Sequence, residues 1–172
     1  MIPFSLAASF SAILLFSFAN TSVSGQINEQ ESDIKPFTAS IINSDYAAAY
    51  SVVTVLSEKE LKIIFRSGLV GARDTTVFVK SLRSTDTLKQ ISEINLSQLK
   101  DYYANPCIDD GSQVTVIIQK DNKKKAVHVS NYYQEDIGKI IYLTNSLVPE
   151  KYKVWYNKET LIADYKRCKG IK

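Results

Sequence analysis

After residue 45 the chain contains three short runs of β-branched and aromatic residues, a composition typical of buried or half-buried strands. The runs cover residues 51–56, 61–66 and 75–80. A polar turn at 57–60 separates the first two, and a loop with two glycines at 67–72 follows the second. This pattern predicts three consecutive strands that are joined as hairpins.

The pattern then changes to a helical period. Residues 84–95 place three apolar side chains on one helical face, namely Leu88, Ile91 and Ile94. Asn95 has the character of an N-cap, and with Gln98 it forms a capping-box-like pair that predicts a second short helix. We expect that helix to include Tyr103 and to end before Asn105 and Pro106.

A hairpin and a long helix follow. Residues 114–120 and 125–131 predict two strands around the polar turn 121–124, whose residues tolerate positive φ. Residues 134–147 repeat apolar side chains at i, i+3, i+4 and i+7, which predicts an amphipathic helix that Pro149 ends.

The remaining carboxy-terminal residues predict two short elements. Residues 152–156 favour a short edge strand or an extended segment, and Asn157 can cap a last helix that ends near Cys168.

Hairpins followed by helices, rather than alternating strands and helices, indicate the α+β class. We expect an antiparallel sheet of about five strands, with two to four helices packed mainly on one face. Residues 26–44 are polar and irregular and predict a flexible leader, while residues 45–172 have the size of a single domain.

The amino terminus predicts export. From Ile2 to Ala19 the chain is uncharged, but it is serine-rich and short against the ~20 apolar residues of a membrane span. It fits the apolar region of a signal peptide covering residues 1–25, with small residues Val23 and Gly25 placing cleavage before Gln26. Cleavage after Ala19 is the alternative. Because no basic residue precedes the apolar stretch, a retained membrane tether is a second alternative.

We therefore expect a periplasmic or extracellular protein without a stable membrane span once the signal is removed. Its formal net charge of +3 is mild, and 45% of the residues are hydrophobic. The one basic cluster, Lys123 to Lys125, falls at the predicted hairpin turn, so we expect no nucleic-acid partner. In an oxidising compartment, Cys107 and Cys168 favour a disulfide over two free thiols.

One stretch resembles a known group of proteins. Residues 99–103, Asp109-Asp110-Gly111, a hairpin that closes in residues 125–127, and Asn131-Tyr132-Tyr133 stand before an amphipathic helix. Over about residues 91–149 this order resembles a family of uncharacterised exported bacterial domains. The family's cysteine-bearing first strand is absent here. The resemblance implies fold and export, and it implies no catalytic residue.

The candidate chemistry is sparse. His128 is the single histidine, and no nucleophile motif accompanies it. Asp109-Asp110-Gly111 lacks the alternating ligands of a calcium loop and is explained by turn chemistry. We therefore predict no cofactor, no metal site and no catalytic residue.

The ten tyrosines are the compositional exception. Exposed tyrosine and tryptophan side chains provide contact area at a low entropic cost. We predict Tyr132, Tyr133, Trp155 and Tyr156 as the binding residues.

These features favour a non-catalytic exported module that binds an unidentified protein or envelope component. One alternative is an envelope- or glycan-directed hydrolase with a carboxylate pair. Another is a carrier of a small ligand or ion that uses Asp109, Asp110 and His128.

Overall fold

The computed structural model describes residues 34–44 and 50–171, and the predicted signal peptide with its cleavage site lies outside these ranges. The described chain is α+β, as predicted, with one sheet and three α-helices. No helix within these ranges combines the length and the apolar character that crossing a bilayer requires.

Seven strands form the sheet in the order β4-β3-β2-β1-β6-β7-β5. Neighbouring strands are antiparallel except β5 and β7, which are parallel. The sheet is therefore mixed and larger than the antiparallel sheet of about five strands that the sequence predicts. The strands are β1 (Thr38–Ser44), β2 (Tyr50–Ser57), β3 (Glu60–Ser67), β4 (Thr75–Ser81), β5 (Tyr102–Ala104), β6 (Gln113–Lys120) and β7 (Lys123–Ser130).

The central strand β1 lies within residues 26–44, which the polar composition of the sequence predicted to be a flexible leader. It pairs with β2 on one side and with β6 on the other. Ala39 and Ile41 are buried, whereas the alternating Thr38 and Ser40 lie on the other face of the sheet and are half-buried. Among residues 38–43, whose burial is described, Ala39 and Ile41 are the two buried ones, and so short an alternation is a weak strand signal in the sequence.

Strand β5 replaces most of the second predicted helix. After Asn95 the chain makes one turn of 3-10 helix, Leu96–Gln98, which Asn95 caps by accepting a hydrogen bond from the Ser97 amide at 3.1 Å. The chain then extends, and Tyr103 pairs with Val129 of β7. The cap prediction is confirmed, and the predicted helical conformation of Tyr103 is wrong.

The turn between β6 and β7 is tighter than the sequence predicts. Asp121 and Asn122 both have positive φ, 48° and 59°, and Lys120 pairs directly with Lys123. Such a two-residue turn matches the twist of the strands that flank it. Lys123 and Lys124 therefore belong to β7 and not to the turn.

The helices are α1 (Asp86–Ser92), α2 (Glu135–Leu147) and α3 (Lys158–Cys168). Side-chain oxygens of Thr85, Gln134 and Asn157 accept hydrogen bonds from amides of their first turns. The predicted helix at 134–147 and the Asn157 cap are thus confirmed. Residues 152–156 form no strand, because a turn of 3-10 helix, Glu150–Tyr152, leads into an extended segment outside the sheet.

All three helices contribute to one apolar core against one face of the sheet. Their buried side chains include Leu88, Ile91, Ile137, Ile140, Ile141 and Leu161, which cluster with Ala39, Ile41, Leu56, Leu61, Ile63, Val116, Ile118 and Val127 of the strands. Strand register places the alternating side chains on the opposite face, among them Ile42, Val53, Thr115, Ile117 and His128.

The disulfide between Cys107 and Cys168 is present, with the two Cα atoms 5.7 Å apart. It joins the last residue of α3 to the loop that precedes β6. The carboxy-terminal helix is therefore covalently attached to the end of the sheet where the candidate site lies.

Candidate functional site

An open cleft of about 770 Å³ lies where β1 ends and where β2 and β6 begin. One wall comes from these strands and another from the extended segment between α2 and α3. The residues that line it are Ile42, Asn43, Tyr50, Val52, Gly111, Ser112, Gln113, Thr115, His128, Lys151, Val154 and Trp155.

Two exposed aromatic rings belong to the cleft. Trp155, the single tryptophan of the chain, is 55% exposed. Tyr50 is also exposed, and its ring stacks on Phe65 with the centroids 5.3 Å apart. Large rings that remain exposed beside a concave surface offer flat apolar area to a ligand.

Trp155 follows a backbone segment that α2 holds in place. The side chain of Asn145 donates to the Val154 carbonyl at 2.8 Å and accepts from the Val154 amide at 2.9 Å. The Ser112 hydroxyl donates to the Trp155 carbonyl at 3.3 Å, which links this wall to the loop before β6. These contacts satisfy main-chain groups that no strand pairs, and they hold the tryptophan against the cleft.

A second amide side chain shapes the wall that the loop before β6 forms. Asn131, with φ of 49°, accepts at its Oδ1 atom from the Ser112 amide at 2.9 Å. Its Nδ2 atom donates to the Asp110 carbonyl at 2.8 Å. A Cβ atom added to Gly111, whose φ is +119°, would lie 2.5 Å from the same Oδ1 atom. Asn131 thus fixes the Asp109-Asp110-Gly111 turn, and through it the position of Ser112.

His128 lines the cleft from the face of the sheet opposite the helices, and its ring already contacts two neighbours. Its Nδ1 atom is 3.0 Å from the Thr115 hydroxyl, and its ring stacks on Tyr102 with a centroid distance of 5.4 Å. Both partners are cross-strand neighbours, Thr115 on β6 and Tyr102 on β5. The imidazole is therefore oriented by its neighbours, and it adds a polar ring to the cleft.

The four residues predicted to bind are not gathered in one place. Trp155 lines the cleft, but Tyr156, its neighbour in sequence, is only 4% exposed. The Tyr156 hydroxyl accepts from the Gln134 amide at 2.8 Å. Burial raises the pKa of Tyr156 above its ordinary value, so this phenol stays protonated at pH values above about 10, where an exposed tyrosine ionises.

Tyr132 and Tyr133 pack around the helices. Tyr133 lies against Tyr156 at 5.6 Å, and burial raises its pKa as well. Tyr132 lies between Tyr103 and Tyr165, at 5.6 and 5.0 Å. Neither residue lines the cleft.

The carboxylates of the candidate ion site do not converge. Asp109 and Asp110 are exposed in the turn that Asn131 holds. Among residues 34–44 and 50–171, no three His, Cys, Asp or Glu side chains come close enough together to hold a metal ion. The described lining of the cleft contains neither Asp nor Glu.

Sequence reasoning missed Asn43, Gln113, Asn131 and Asn145. Asn131 carries a local signal, because asparagine directly after a strand tolerates positive φ. The other three were not identifiable, because amides in strands and helices are usually surface residues and only the fold brings these together.

No family model, curated protein or solved structure matches this chain. The resemblance over residues 91–149 therefore stays a prediction.

Proposed function

We propose that this protein is an exported, non-catalytic binding module that takes a saccharide of the cell envelope or the extracellular space into the cleft. The observation that carries the proposal is the exposed ring of Trp155 in a cleft whose other walls are rich in amide and hydroxyl groups.

The lining has the two chemical properties that a sugar ring requires. A pyranose has an apolar C–H face, which packs on an aromatic ring, and a rim of hydroxyl groups that both donate and accept hydrogen bonds. Trp155 and Tyr50 provide the aromatic area. Asn43, Gln113 and Ser112 can each donate and accept.

The walls are held before any ligand arrives. The side chains of Asn145 and Asn131 bond main-chain groups of Val154 and Ser112, so the backbone of both walls is fixed by hydrogen bonds. Preorganisation of this kind lowers the entropic cost of binding. Because the cleft is open, we expect dissociation constants between about 1 mM and 1 μM, or roughly −4 to −8 kcal/mol.

The described lining of the cleft favours binding over hydrolysis, because it lacks the acidic side chains that hydrolysis uses. Glycoside hydrolysis uses two carboxyl groups roughly 5 to 9.5 Å apart, and the described lining provides none. The ion-carrier alternative would need Asp109 and Asp110 to point at His128, whereas His128 is oriented by Thr115 and Tyr102.

The test uses the fluorescence of Trp155 itself to detect binding at the cleft. The protein is titrated with soluble oligomers of glucose and of N-acetylglucosamine while tryptophan emission is recorded, and calorimetry follows for each oligomer that changes the emission. We expect saturable binding of at least one oligomer. Trp155→Ala has no tryptophan left to report, so its binding is measured by calorimetry alone, and there we expect the binding to be lost. Tyr142→Ala removes an exposed ring outside the cleft and is the matched control. Because the Tyr142 hydroxyl accepts from the Lys158 amide at 3.0 Å, its thermal midpoint is compared with that of the wild type, and the variant should bind normally. Binding that survives Trp155→Ala, or no saturable binding at millimolar oligomer, contradicts the proposal.

Export is tested separately. Mass spectrometry of the protein recovered from outside the cytoplasm of producing cells should find an amino terminus at Gln26. A start at Asn20 would favour the alternative cleavage site, and an intact Met1 in the membrane fraction would favour the tether.

A further inference from the structure

The loop between β3 and β4 exposes two aliphatic side chains at its tip. Leu69 is 76% exposed and Val70 is fully exposed, the largest exposures among the large hydrophobic side chains that the structure describes. Tight turns normally carry Gly, Pro, Asn, Asp or Ser, because those residues satisfy the backbone or its φ requirement. At this exposed position the side chains of Leu69 and Val70 bury almost no apolar surface within the chain, so they add little to its stability.

The tip is nevertheless a formed turn. The Ala72 amide donates to the Leu69 carbonyl at 3.1 Å, and Gly71 has φ of +82°, as the third residue of a type II turn requires. The Ser67 hydroxyl accepts from the Leu69 amide at 3.2 Å. These bonds hold Leu69 and Val70 outward rather than folded onto the sheet.

The surroundings of the tip are basic and aromatic. Arg66 and Arg73 flank it, and Arg66 pairs with Asp74 at 3.1 Å. Residues 66–74 therefore carry a net charge of +1, from two arginines and one aspartate. Lys62 and Lys80 lie at the far end of the hairpin from the tip. The stacked pair Tyr50 and Phe65 lies further down the same end.

We propose that this tip, residues 66–73, is a membrane-docking loop that inserts Leu69 and Val70 into the surface of a bilayer with anionic headgroups. Aliphatic side chains favour the acyl boundary, and basic side chains next to them favour anionic headgroups. Two aliphatic residues with a small net charge give reversible docking rather than a permanent anchor.

The tip shares its end of the sheet with the cleft. Tyr50, which lines the cleft, pairs with Ser67 at the base of the loop. A docked molecule therefore holds the cleft close to the lipid surface. The proposal does not depend on saccharide binding.

The experiment uses the exported protein, whose amino terminus is established by mass spectrometry. It measures how much protein sediments with two kinds of vesicle, one of phosphatidylcholine alone and one that also contains phosphatidylglycerol. We expect binding to the anionic vesicles, and a decrease of about tenfold or more in the double variant Leu69→Ser and Val70→Ser. Arg73→Gln should weaken binding to anionic vesicles about fivefold and leave binding to neutral vesicles unchanged.

A matched control is available on the same hairpin. Val77 and Val79 are exposed aliphatic residues of β4, and their double change to serine should leave vesicle binding intact. Equal thermal midpoints for both double variants establish that each is folded. The proposal is overturned if the wild type ignores anionic vesicles, or if both double variants lose binding equally. It is also overturned if the tip variant only converts a self-associated protein to a monomer, because the tip would then contact a second copy.

Discussion

Asn131 and Ser112 are bonded to each other through two separate hydrogen bonds. The backbone amide of Asn131 donates to the Ser112 carbonyl at 2.8 Å, and the side-chain Oδ1 atom of Asn131 accepts from the backbone amide of Ser112 at 2.9 Å. The residue just after β7 therefore sets the conformation of the loop just before β6. The cleft depends on this pair, because Gly111 and Ser112 form part of its wall.

We expect Gly111→Ala to destabilise the protein by about 2–4 kcal/mol, from positive-φ strain and from overlap with Asn131. Gly71→Ala is the control, since Gly71 also has a positive φ but a Cβ atom there meets nothing within 4 Å. It should cost only about 1–2 kcal/mol. Urea denaturation measures both, and equal losses would show that Asn131 does not constrain Gly111.

Asn145→Ala should weaken ligand binding without touching the ligand. It leaves the Val154 amide and carbonyl without their partners, so the segment that carries Trp155 loosens. We expect unfolding to become easier by about 1–2 kcal/mol and saccharide affinity to fall about fivefold, as 1 kcal/mol of lost preorganisation gives. Ser146→Ala, at an exposed neighbouring position on α2, should leave the affinity unchanged in the same fluorescence titration.

Loss of the disulfide should lower stability strongly. Cys107 and Cys168 are 61 residues apart in sequence, and closing such a loop restricts the unfolded chain by about 4 kcal/mol in the chain-entropy model. We expect the double change to serine to lower the free energy of unfolding by roughly 2–4 kcal/mol. A reducing agent should destabilise the wild type and leave the double variant unaffected, and an unchanged wild type would contradict the expected contribution.

Tyr156 should make the protein sensitive to alkali. Burial raises its folded-state pKa above the unfolded value of about 10. Above that pH the unfolded chain releases a proton that the folded protein retains, so the contribution of this phenol is complete below about pH 10 and is lost as the pH rises further.

Tyr156→Phe tests this effect. At pH 7 the variant should be less stable by about 1–2 kcal/mol, because the Gln134 amide loses its acceptor. Above about pH 10 the difference should shrink, because only the wild type must then protonate a buried phenol in order to fold. Denaturation at a series of pH values measures both effects, and parallel curves up to pH 11 would contradict the burial of this hydroxyl.

Local pattern alone was sufficient for much of the secondary structure. The strands β2, β3, β4, β6 and β7 and the helix α2 have strong periods of their own, and the caps at Asn95 and Asn157 act within one turn. The sequence by itself therefore determined the α+β class, the hairpins and the disulfide as a favoured pairing.

Tertiary structure decided the elements whose stability comes from distant partners. β1 is a strand because β2 and β6 pair with both of its edges and the helices bury Ala39 and Ile41. β5 is a strand because the edge of β7 pairs with it, and its three residues are too few to show a strand period in the sequence.

The same holds for the candidate site. Trp155 is exposed and Tyr156 is buried although they are adjacent, because successive side chains of an extended segment point to opposite sides. The sequence determined that aromatic residues cluster there. Only the fold decided which ring reaches the cleft, because burial and the amides of Asn131 and Asn145 act between residues that are far apart in the chain.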